Sequence, residues 1–241
     1  MLLKKINNLI EARKSKPDRK KYAPYSVGLY QGLVEKIGKI PRAVLTPFFD
    51  EGGGSVDGNI RVYSRHDLDT ASCVENLPLL LEVDECNGIV PGIFFLVNDQ
   101  TYSLASCRGL ATSLREKGHV VGLHTVCYLE DDYLGAFQRE IDKFTAEIGF
   151  RPQTFNAHGL GKQRLETRLK FYEEISERYA EYGFSYSDCC PRMRFYQHVI
   201  EDCHWDEKIS KRYVKDDFIH PRQYLGGEKC LILTHPCYWV Q

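Results

Sequence analysis

The sequence lacks the features that would place the protein in a membrane or on a nucleic acid. No stretch of its 241 residues is apolar for long enough to span a bilayer, and its first residues have no continuous apolar core of the kind found in signal peptides. Its 32 basic residues are balanced by 33 acidic ones, which gives a net charge of -1. We therefore expect neither a nucleic acid nor a membrane among its partners, because both attract an excess of positive charge.

The sequence also lacks the cysteine patterns of disulfide frameworks and zinc ribbons. Its nine cysteines are an odd number, and no two of them stand in a C-x-x-C spacing. Cys189 and Cys190 are adjacent, which suits an ordinary structural disulfide poorly. Together with the missing signal peptide, this favours reduced thiols and predicts a cytoplasmic protein.

Segments with the pattern of a strand alternate with segments that have the spacing of a helix. The pattern predicts strands at residues 60–67, 89–97, 119–124 and 153–157, and helices at 74–86, 103–117, 132–148 and 163–182. A short strand at 183–187, an irregular stretch rich in cysteine and aromatic residues, and a last strand within 229–236 follow. This alternation predicts an α/β fold with a parallel sheet or barrel of βα units.

The amino-terminal part has a different pattern. Residues 1–13 and 26–38 have helical spacing, and residues 42–50 contain a possible strand before a glycine-rich turn. We expect residues 1–58 to form an extension of helices and a strand that packs on a barrel formed by residues 59–241. Nothing marks a boundary between independent domains, so the prediction is one compact domain.

Acidic and imidazole side chains stand where four of the predicted strands end. They are Asp67, Asp69, His124, His158 and His235. In parallel α/β folds, ligands bind at the carboxyl ends of the strands, so we expect these five side chains to converge. Asp67 and Asp69 share one face of an extended strand and would repel each other. A divalent transition metal bound by carboxylate and imidazole, with one position open for water, would explain the convergence and remove the repulsion.

The motifs that carry these residues resemble a known family. They read RHDLD (65–69), GLH (122–124), AHG (157–159) and THPCYW (234–239). Their order is similar to that of polysaccharide deacetylases, the NodB-homology or carbohydrate esterase 4-like superfamily, and closest to its divergent cytoplasmic members. The resemblance implies an irregular (β/α) barrel of about seven parallel strands, of the glycoside hydrolase/deacetylase type. It also implies a divalent metal ion, with zinc the expected one.

The same resemblance implies a role for each residue. Asp67 would be the general base, Asp69 and His124 metal ligands, and His235 the acid near the leaving group. The implied enzyme is a metal-dependent hydrolase that acts on C–N bonds other than peptide bonds. It would remove an acyl group from a carbohydrate or another small molecule, such as a small or nucleotide-linked acylated sugar.

The sequence departs from the family at two motifs. The family usually has a second metal-binding histidine four residues after the first, and here that position is Tyr128. The usual third motif with an arginine is absent, and residues 156–159 stand in its place. We expect His158 to be the third ligand, because it ends its own strand beside Gly159, which allows close backbone approach. A thiolate ligand from Cys127, or a decayed metal site, is the alternative.

Two other functions are compatible with parts of this pattern. The D-x-D motif also occurs in Asp-based phosphohydrolases of the haloacid dehalogenase type, in which Asp67 would be the nucleophile. Those enzymes have threonine or valine where this chain has Ala71, and the function leaves three histidines unexplained. A catalytically decayed barrel that acts as a binding protein is the second alternative, and Tyr128 is its main support.

Overall fold

A parallel β-sheet of seven strands forms the centre of the protein. The computed structural model describes residues 25–48, 58–97, 101–159, 164–175, 178–186, 196, 198–202 and 229–240. The helix predicted at residues 1–13 and most of the glycine-rich turn lie outside these residues. In the part of the chain that the structure describes, no helix is both long and apolar enough to cross a membrane.

Strands and helices alternate along the described chain. The strands are β1 Tyr25–Ser26, β2 Ala43–Leu45, β3 Ile60–Leu68, β4 Gly92–Leu96, β5 Val120–Thr125, β6 Phe155–Ala157, β7 His198–Glu201, β8 Lys229–Thr234 and β9 Trp239–Val240. The helices are α1 Val27–Gly38, α2 Ala71–Cys86, α3 Arg108–Glu116, α4 Tyr133–Ile148 and α5 Leu165–Ile175. Short 3-10 turns cover Leu104–Cys107, Cys127–Leu129, Tyr179–Tyr182 and Pro236–Tyr238.

The order of the strands confirms the predicted sheet. The main sheet runs β6-β5-β4-β3-β8-β7, and β2 also pairs with β3. All of these pairs are parallel. A separate pair, also parallel, joins β1 to β9. Because the strands run in one direction, their carboxyl ends lie along one edge of the sheet.

The sheet is strongly curled. β3 and β6 are separated by β4 and β5, so in a flat sheet they would be roughly 14 Å apart, three spacings of about 4.8 Å. Asn156 on β6 nevertheless donates a hydrogen bond to Asp67 on β3, with Nδ2 and Oδ1 3.2 Å apart. The curl makes the sheet barrel-like, as predicted, and brings the strand ends around one point.

Aromatic side chains fill the concave side of the curled sheet. Phe48, Tyr63 and Phe94 form a buried cluster there with leucines of β8. A Cβ atom at Gly122 would lie 2.5 Å from the Phe94 ring, so this position of the GLH motif accepts only glycine. The central strand β4 is buried along its whole length, which explains its continuous apolar sequence.

Helices cover the convex side. In α4, a buried stripe of Phe137, Ile141, Phe144 and Ile148 follows the 3.6-residue period and faces the sheet. The helix begins where the Asp132 carboxylate accepts a hydrogen bond from the Gly135 N–H, 3.0 Å away. It ends at a glycine with a left-handed backbone.

A buried polar network fastens α1 and α2 to β3. His66 lies 2.7 Å from the Asp84 carboxylate through Nε2 and 2.5 Å from the Thr234 hydroxyl through Nδ1. The Tyr30 hydroxyl donates to the other oxygen of Asp84 at 2.7 Å. Since neighbouring residues of a strand point to opposite faces, the His66 side chain points toward the helices while Asp67 faces the interior of the curled sheet.

Three parts of the prediction differ from the structure. Residues 183–186 do not form a strand, because the left-handed backbone of Gly183 turns the chain directly after the Tyr179–Tyr182 turn. The helix predicted at 163–182 is observed over Leu165–Ile175, and Tyr179–Tyr182 form a 3-10 turn instead. The stretch expected to be irregular contains the strand β7.

Candidate metal centre

The structure places all five predicted side chains at the carboxyl edge of the sheet. Asp67 is the eighth residue of β3, and Asp69 follows that strand directly. His124 is the fifth residue of β5. His158 and His235 are the first residues after β6 and β8. Four separate strands thus supply one cluster.

Three of these side chains meet in a tight triangle. Asp69 Oδ1 lies 3.2 Å from His124 Nε2 and 3.2 Å from His158 Nδ1. The two ring nitrogens are 3.0 Å apart. Ligand bonds of about 2.0–2.1 Å in a tetrahedral zinc site place the ligand atoms roughly 3.3 Å from one another. The triangle therefore has the dimensions of three ligands to one ion.

The environment of Asp69 also fits a cation. Its Oδ1 atom is buried and makes no hydrogen bond of good geometry, although two ring nitrogens are close. A buried carboxylate oxygen without a well-aligned hydrogen bond is unfavourable, and a divalent cation would satisfy it. Burial raises the pKa of Asp69, but His124 and His158 outweigh burial and hold the pKa well below its usual range. The carboxylate is therefore ionised, as a ligand must be.

Asn156 orients the ring of His124. Nδ1 of His124 is hydrogen-bonded to the Asn156 side-chain oxygen. That oxygen only accepts, so Nδ1 carries a proton and Nε2 is the nitrogen directed at the triangle, where its lone pair becomes available to a metal once Nε2 is deprotonated. Such a partner behind a metal-binding histidine fixes both its tautomer and its direction.

Tyr128 and Cys127 are the other two positions from which a third ligand could have come, and neither side chain is part of the triangle. Tyr128 is fully buried, and its hydroxyl donates to the backbone carbonyl of His158 instead of facing the triangle. Cys127 packs in the hydrophobic core beneath the site. Burial and the charge of Glu140 raise the pKa of Cys127 well above its usual value, which opposes a thiolate ligand. The described residues thus supply one carboxylate and two imidazoles.

Asp67 lies beside the triangle and is held by a charged partner. The Arg65 guanidinium contacts it through Nη2 to Oδ2 and Nε to Oδ1, both at 3.0 Å. One atom of the triangle, His124 Nε2, is 3.8 Å from Asp67 Oδ2. Burial raises the pKa of Asp67, but the positive charges of Arg65, His124 and His235 outweigh it and lower the pKa. Asp67 is therefore a carboxylate at neutral pH and can accept a proton.

His235 lies beside Asp69. Its Nδ1 is 2.6 Å from Asp202 Oδ1, and its backbone N–H donates to Oδ2 at 2.6 Å. The Trp239 indole N–H donates to the same Oδ2 at 2.8 Å. This leaves Nε2 of His235 facing the site, 3.7 Å from Asp69 Oδ2. Burial lowers the pKa of His235, but Asp202, Asp69 and Asp67 raise it to about 10, so the ring can donate a proton.

Sequence reasoning missed three residues that support this site: Arg65, Asn156 and Asp202. Arg65 could have been found, because residues two apart on a strand point to the same face and Arg65 is two residues before Asp67. Asn156 lies on the short strand β6, two residues before His158, and carried the same signal. Asp202 follows β7, which the sequence pattern did not predict.

Comparisons with known proteins give only distant similarity. No protein-family model matches the chain, and no curated protein matches its sequence. A mutant of a CE4 family pseudoenzyme with restored enzymatic activity is 13% identical, with a TM-score of 0.45, over 73% of this chain and 56% of its own. A polysaccharide deacetylase from Bacillus cereus is 14% identical, with a TM-score of 0.44, over 73% and 79%.

A third solved structure, the wild-type CE4 family pseudoenzyme from Bacillus anthracis, is 12% identical, with a TM-score of 0.43. The match covers 73% of this chain and 56% of that protein. This chain therefore spans little more than half the length of the two pseudoenzyme structures.

Proposed function

We propose that the protein is a metal-dependent hydrolase that removes an acyl group from the nitrogen of a carbohydrate or another small molecule. The triangle of Asp69 Oδ1, His124 Nε2 and His158 Nδ1, with edges of 3.0–3.2 Å, carries this proposal. Asp67 and His235 flank it at 3.8 and 3.7 Å. A base and an acid beside an ion site are the groups that amide hydrolysis requires.

Asp69, His124 and His158 would hold the ion. A divalent ion such as zinc, when bound, makes a coordinated water acidic enough to act as a nucleophile near neutral pH and polarises an acyl carbonyl. Imidazole and carboxylate are ligands that zinc binds readily. Three protein ligands also leave room for water, as catalytic zinc sites do.

Asp67 would accept the proton of the attacking water. Arg65 and the Asn156 amide both contact the Asp67 carboxylate, so it has little freedom to rotate away from the site. The lowered pKa of Asp67 keeps it ionised before the reaction. Because Arg65 and Asn156 together contact both oxygens of Asp67, its position does not depend on the ion.

His235 would protonate the departing amine. Asp202 binds Nδ1 and thereby directs the Nε2–H of the imidazolium toward the site. The raised pKa of His235 keeps the ring protonated at neutral pH. An amine is a poor leaving group without a proton, so this donation completes cleavage of the C–N bond.

The experiment that tests this function measures zinc per chain and acetate release together. Substrates would include N-acetylglucosamine, its nucleotide-linked form and short N-acetylglucosamine oligomers. We expect about one zinc per chain, acetate release from at least one substrate, its loss after chelation, and recovery on adding zinc. Asp67→Asn should retain zinc and lose acetate release.

Either of two other results would support a different function. Stoichiometric zinc without acetate release from any substrate would favour a binding protein. Magnesium-dependent release of phosphate from p-nitrophenyl phosphate, abolished in Asp67→Asn, would favour the Asp-based phosphohydrolase.

A further inference from the structure

Two cysteine thiols form a hydrogen-bonded pair beside the candidate metal centre. Cys73 is fully buried in the first turn of α2, and Cys237 is partly exposed in the Pro236–Tyr238 turn after β8. The two side chains are hydrogen-bonded to each other. Both also lie within electrostatic reach of the Asp69 carboxylate. None of the steps proposed for acyl transfer uses either thiol.

Specific contacts hold the pair in place. One turn along α2, the Asn76 side chain donates hydrogen bonds to the carbonyl oxygens of Pro236 and Trp239, at 3.3 and 3.0 Å. This ties the turn that carries Cys237 to the helix that carries Cys73. Because these hydrogen bonds anchor the backbone beside Cys237 to the helix of Cys73, the two thiols are held near each other.

The surroundings of Cys73 favour its thiolate. The Thr70 hydroxyl donates to its Sγ atom at 3.4 Å, and the N-terminus of a helix stabilises negative charge. Burial raises the pKa of Cys73, but hydrogen bonds from Cys237 and Thr70 outweigh it and lower the pKa below that of an ordinary thiol. Cys237 keeps its proton, because its hydrogen bond to Cys73 and its burial raise its pKa.

We propose that Cys73 and Cys237 are an oxidation site and form a reversible intrachain disulfide that links α2 to the turn after β8. The oxidant is a peroxide. The Cys73 thiolate attacks one oxygen of hydrogen peroxide, the O–O bond breaks, and the hydroxide that leaves takes up a proton. Cys237 sulfur then displaces the hydroxyl from the Cys73 sulfenic acid, which forms the S–S bond and water. Two thiols thus lose two electrons, and one peroxide becomes two waters.

The link joins the two segments that carry site residues. Cys73 is four residues after Asp69, and Cys237 is two residues after His235. Sulfur atoms joined by a hydrogen bond are farther apart than the roughly 2.7 Å minimum of an N–H···O bond, whereas covalently bonded sulfur atoms are about 2.05 Å apart. Oxidation therefore shortens the separation of the two sulfur atoms by more than about 0.5 Å, which is the tolerance within which catalytic groups have to be held, and the two anchored segments must absorb this change. The disulfide therefore lowers turnover.

Mass spectrometry of the full chain tests the disulfide without reference to activity. After a short treatment with hydrogen peroxide at pH 7.5, we expect a loss of two hydrogens and a proteolytic fragment in which residues 73 and 237 are linked. Dithiothreitol should reverse both changes. Cys73→Ser and Cys237→Ser should each abolish the link, and the partly exposed Cys237 provides the variant that disturbs the core less.

Cys86→Ser is the matched control, because Cys86 is exposed on the same helix and should leave the link unchanged. A linked fragment that lacks either residue, or no linked fragment in protein that retains its fold, would overturn the proposal.

The effect on turnover rests on the proposed function. Acetate release by the zinc-loaded parent should fall by about tenfold to a hundredfold on oxidation and recover with dithiothreitol. The Cys237→Ser variant should resist this loss. If the link forms while turnover stays the same, its action on the site is disproved. If the untreated parent releases no acetate, the proposed function is wrong. The mass spectrum still shows whether the disulfide forms.

Discussion

The hydroxyl of Tyr128 lies 2.5 Å from the backbone carbonyl oxygen of His158 and donates a hydrogen bond to it. The backbone N–H of His158 in turn donates to the carbonyl of Thr125 at 2.9 Å. The segment that follows His124 thus holds His158 from both sides. The family that the sequence resembles usually has a second metal-binding histidine at this position. This chain has Tyr128 there, and its hydroxyl positions His158.

This relationship predicts that Tyr128→Phe weakens metal binding although Tyr128 is not a ligand. The substitution leaves the His158 carbonyl without its donor, so the backbone that carries the imidazole is less fixed. Outer partners of metal ligands contribute about 10–100-fold in affinity. We expect a zinc affinity lower by about tenfold, measured by competition with a chromophoric chelator.

Tyr133→Phe is the control for this prediction. It removes a hydroxyl that donates to Glu174 at 2.6 Å, away from the triangle. Zinc affinity should be the same as in the parent. Equal affinities in all three proteins would show that the Tyr128 hydroxyl has no part in positioning His158.

The convergence of the site residues could be predicted from the sequence because it follows from topology. Parallel strands place their carboxyl ends at one edge, so a polar residue at each strand end is enough to predict that Asp69, His124 and His158 meet. The alternation of a strand also separates the roles of His66 and Asp67. The distances between these side chains and their orientations could be obtained only from the structure.

The acid side of the site could not be predicted in the same way. β7 offers only two apolar residues, and one of them, Val199, is 52% exposed on the edge of the sheet. Such a strand shows no clear alternation, so Asp202 did not stand out as a strand-end residue. The contact between Asp202 and His235 depends on the pairing of β7 with β8, which local sequence does not encode.

A second prediction separates metal ligands from the base. Asp69→Ala and His158→Ala should each lose zinc, because each removes an atom of the triangle. Asp67→Asn should keep zinc and lose turnover, because an amide cannot accept the proton. Zinc per chain, measured by elemental analysis after dialysis, and acetate release distinguish these outcomes.

If Asp67→Asn also lost its zinc, the division of roles between the two carboxylates would be wrong. Asp131→Asn provides a control, since that carboxylate is 91% exposed and pairs with Arg164 far along the chain. It should match the parent in both measurements.

A third prediction concerns Arg65. In Arg65→Met the buried Asp67 loses its charged partner, so burial should raise the pKa of Asp67. The acidic limb of the dependence of kcat on pH should then move to higher pH. Removing one partner of a buried ion pair also lowers the free energy of unfolding by about 3–5 kcal/mol, measured by urea denaturation.

Arg65→Lys would restore the charge but not the two parallel contacts. It should recover most of the pH profile and only part of the stability. A pH profile of Arg65→Met identical to that of the parent would mean that Arg65 does not set the ionisation of Asp67.

The last prediction concerns Asp202 and the alkaline limb of activity. His235 must be protonated to act as an acid, and Asp202 is the largest cause that raises its pKa to about 10. A cation near Asp69 offsets the contribution of that carboxylate, so the alkaline limb of the zinc-loaded enzyme should lie below pH 10. In Asp202→Asn the hydrogen bond weakens and the charge disappears, so burial should move the limb to still lower pH. We expect the ratio of kcat at pH 9 to kcat at pH 6 to fall at least tenfold in this variant, while zinc content stays unchanged. A uniform loss of activity at both pH values would instead show that Asp202 only supports the fold around His235.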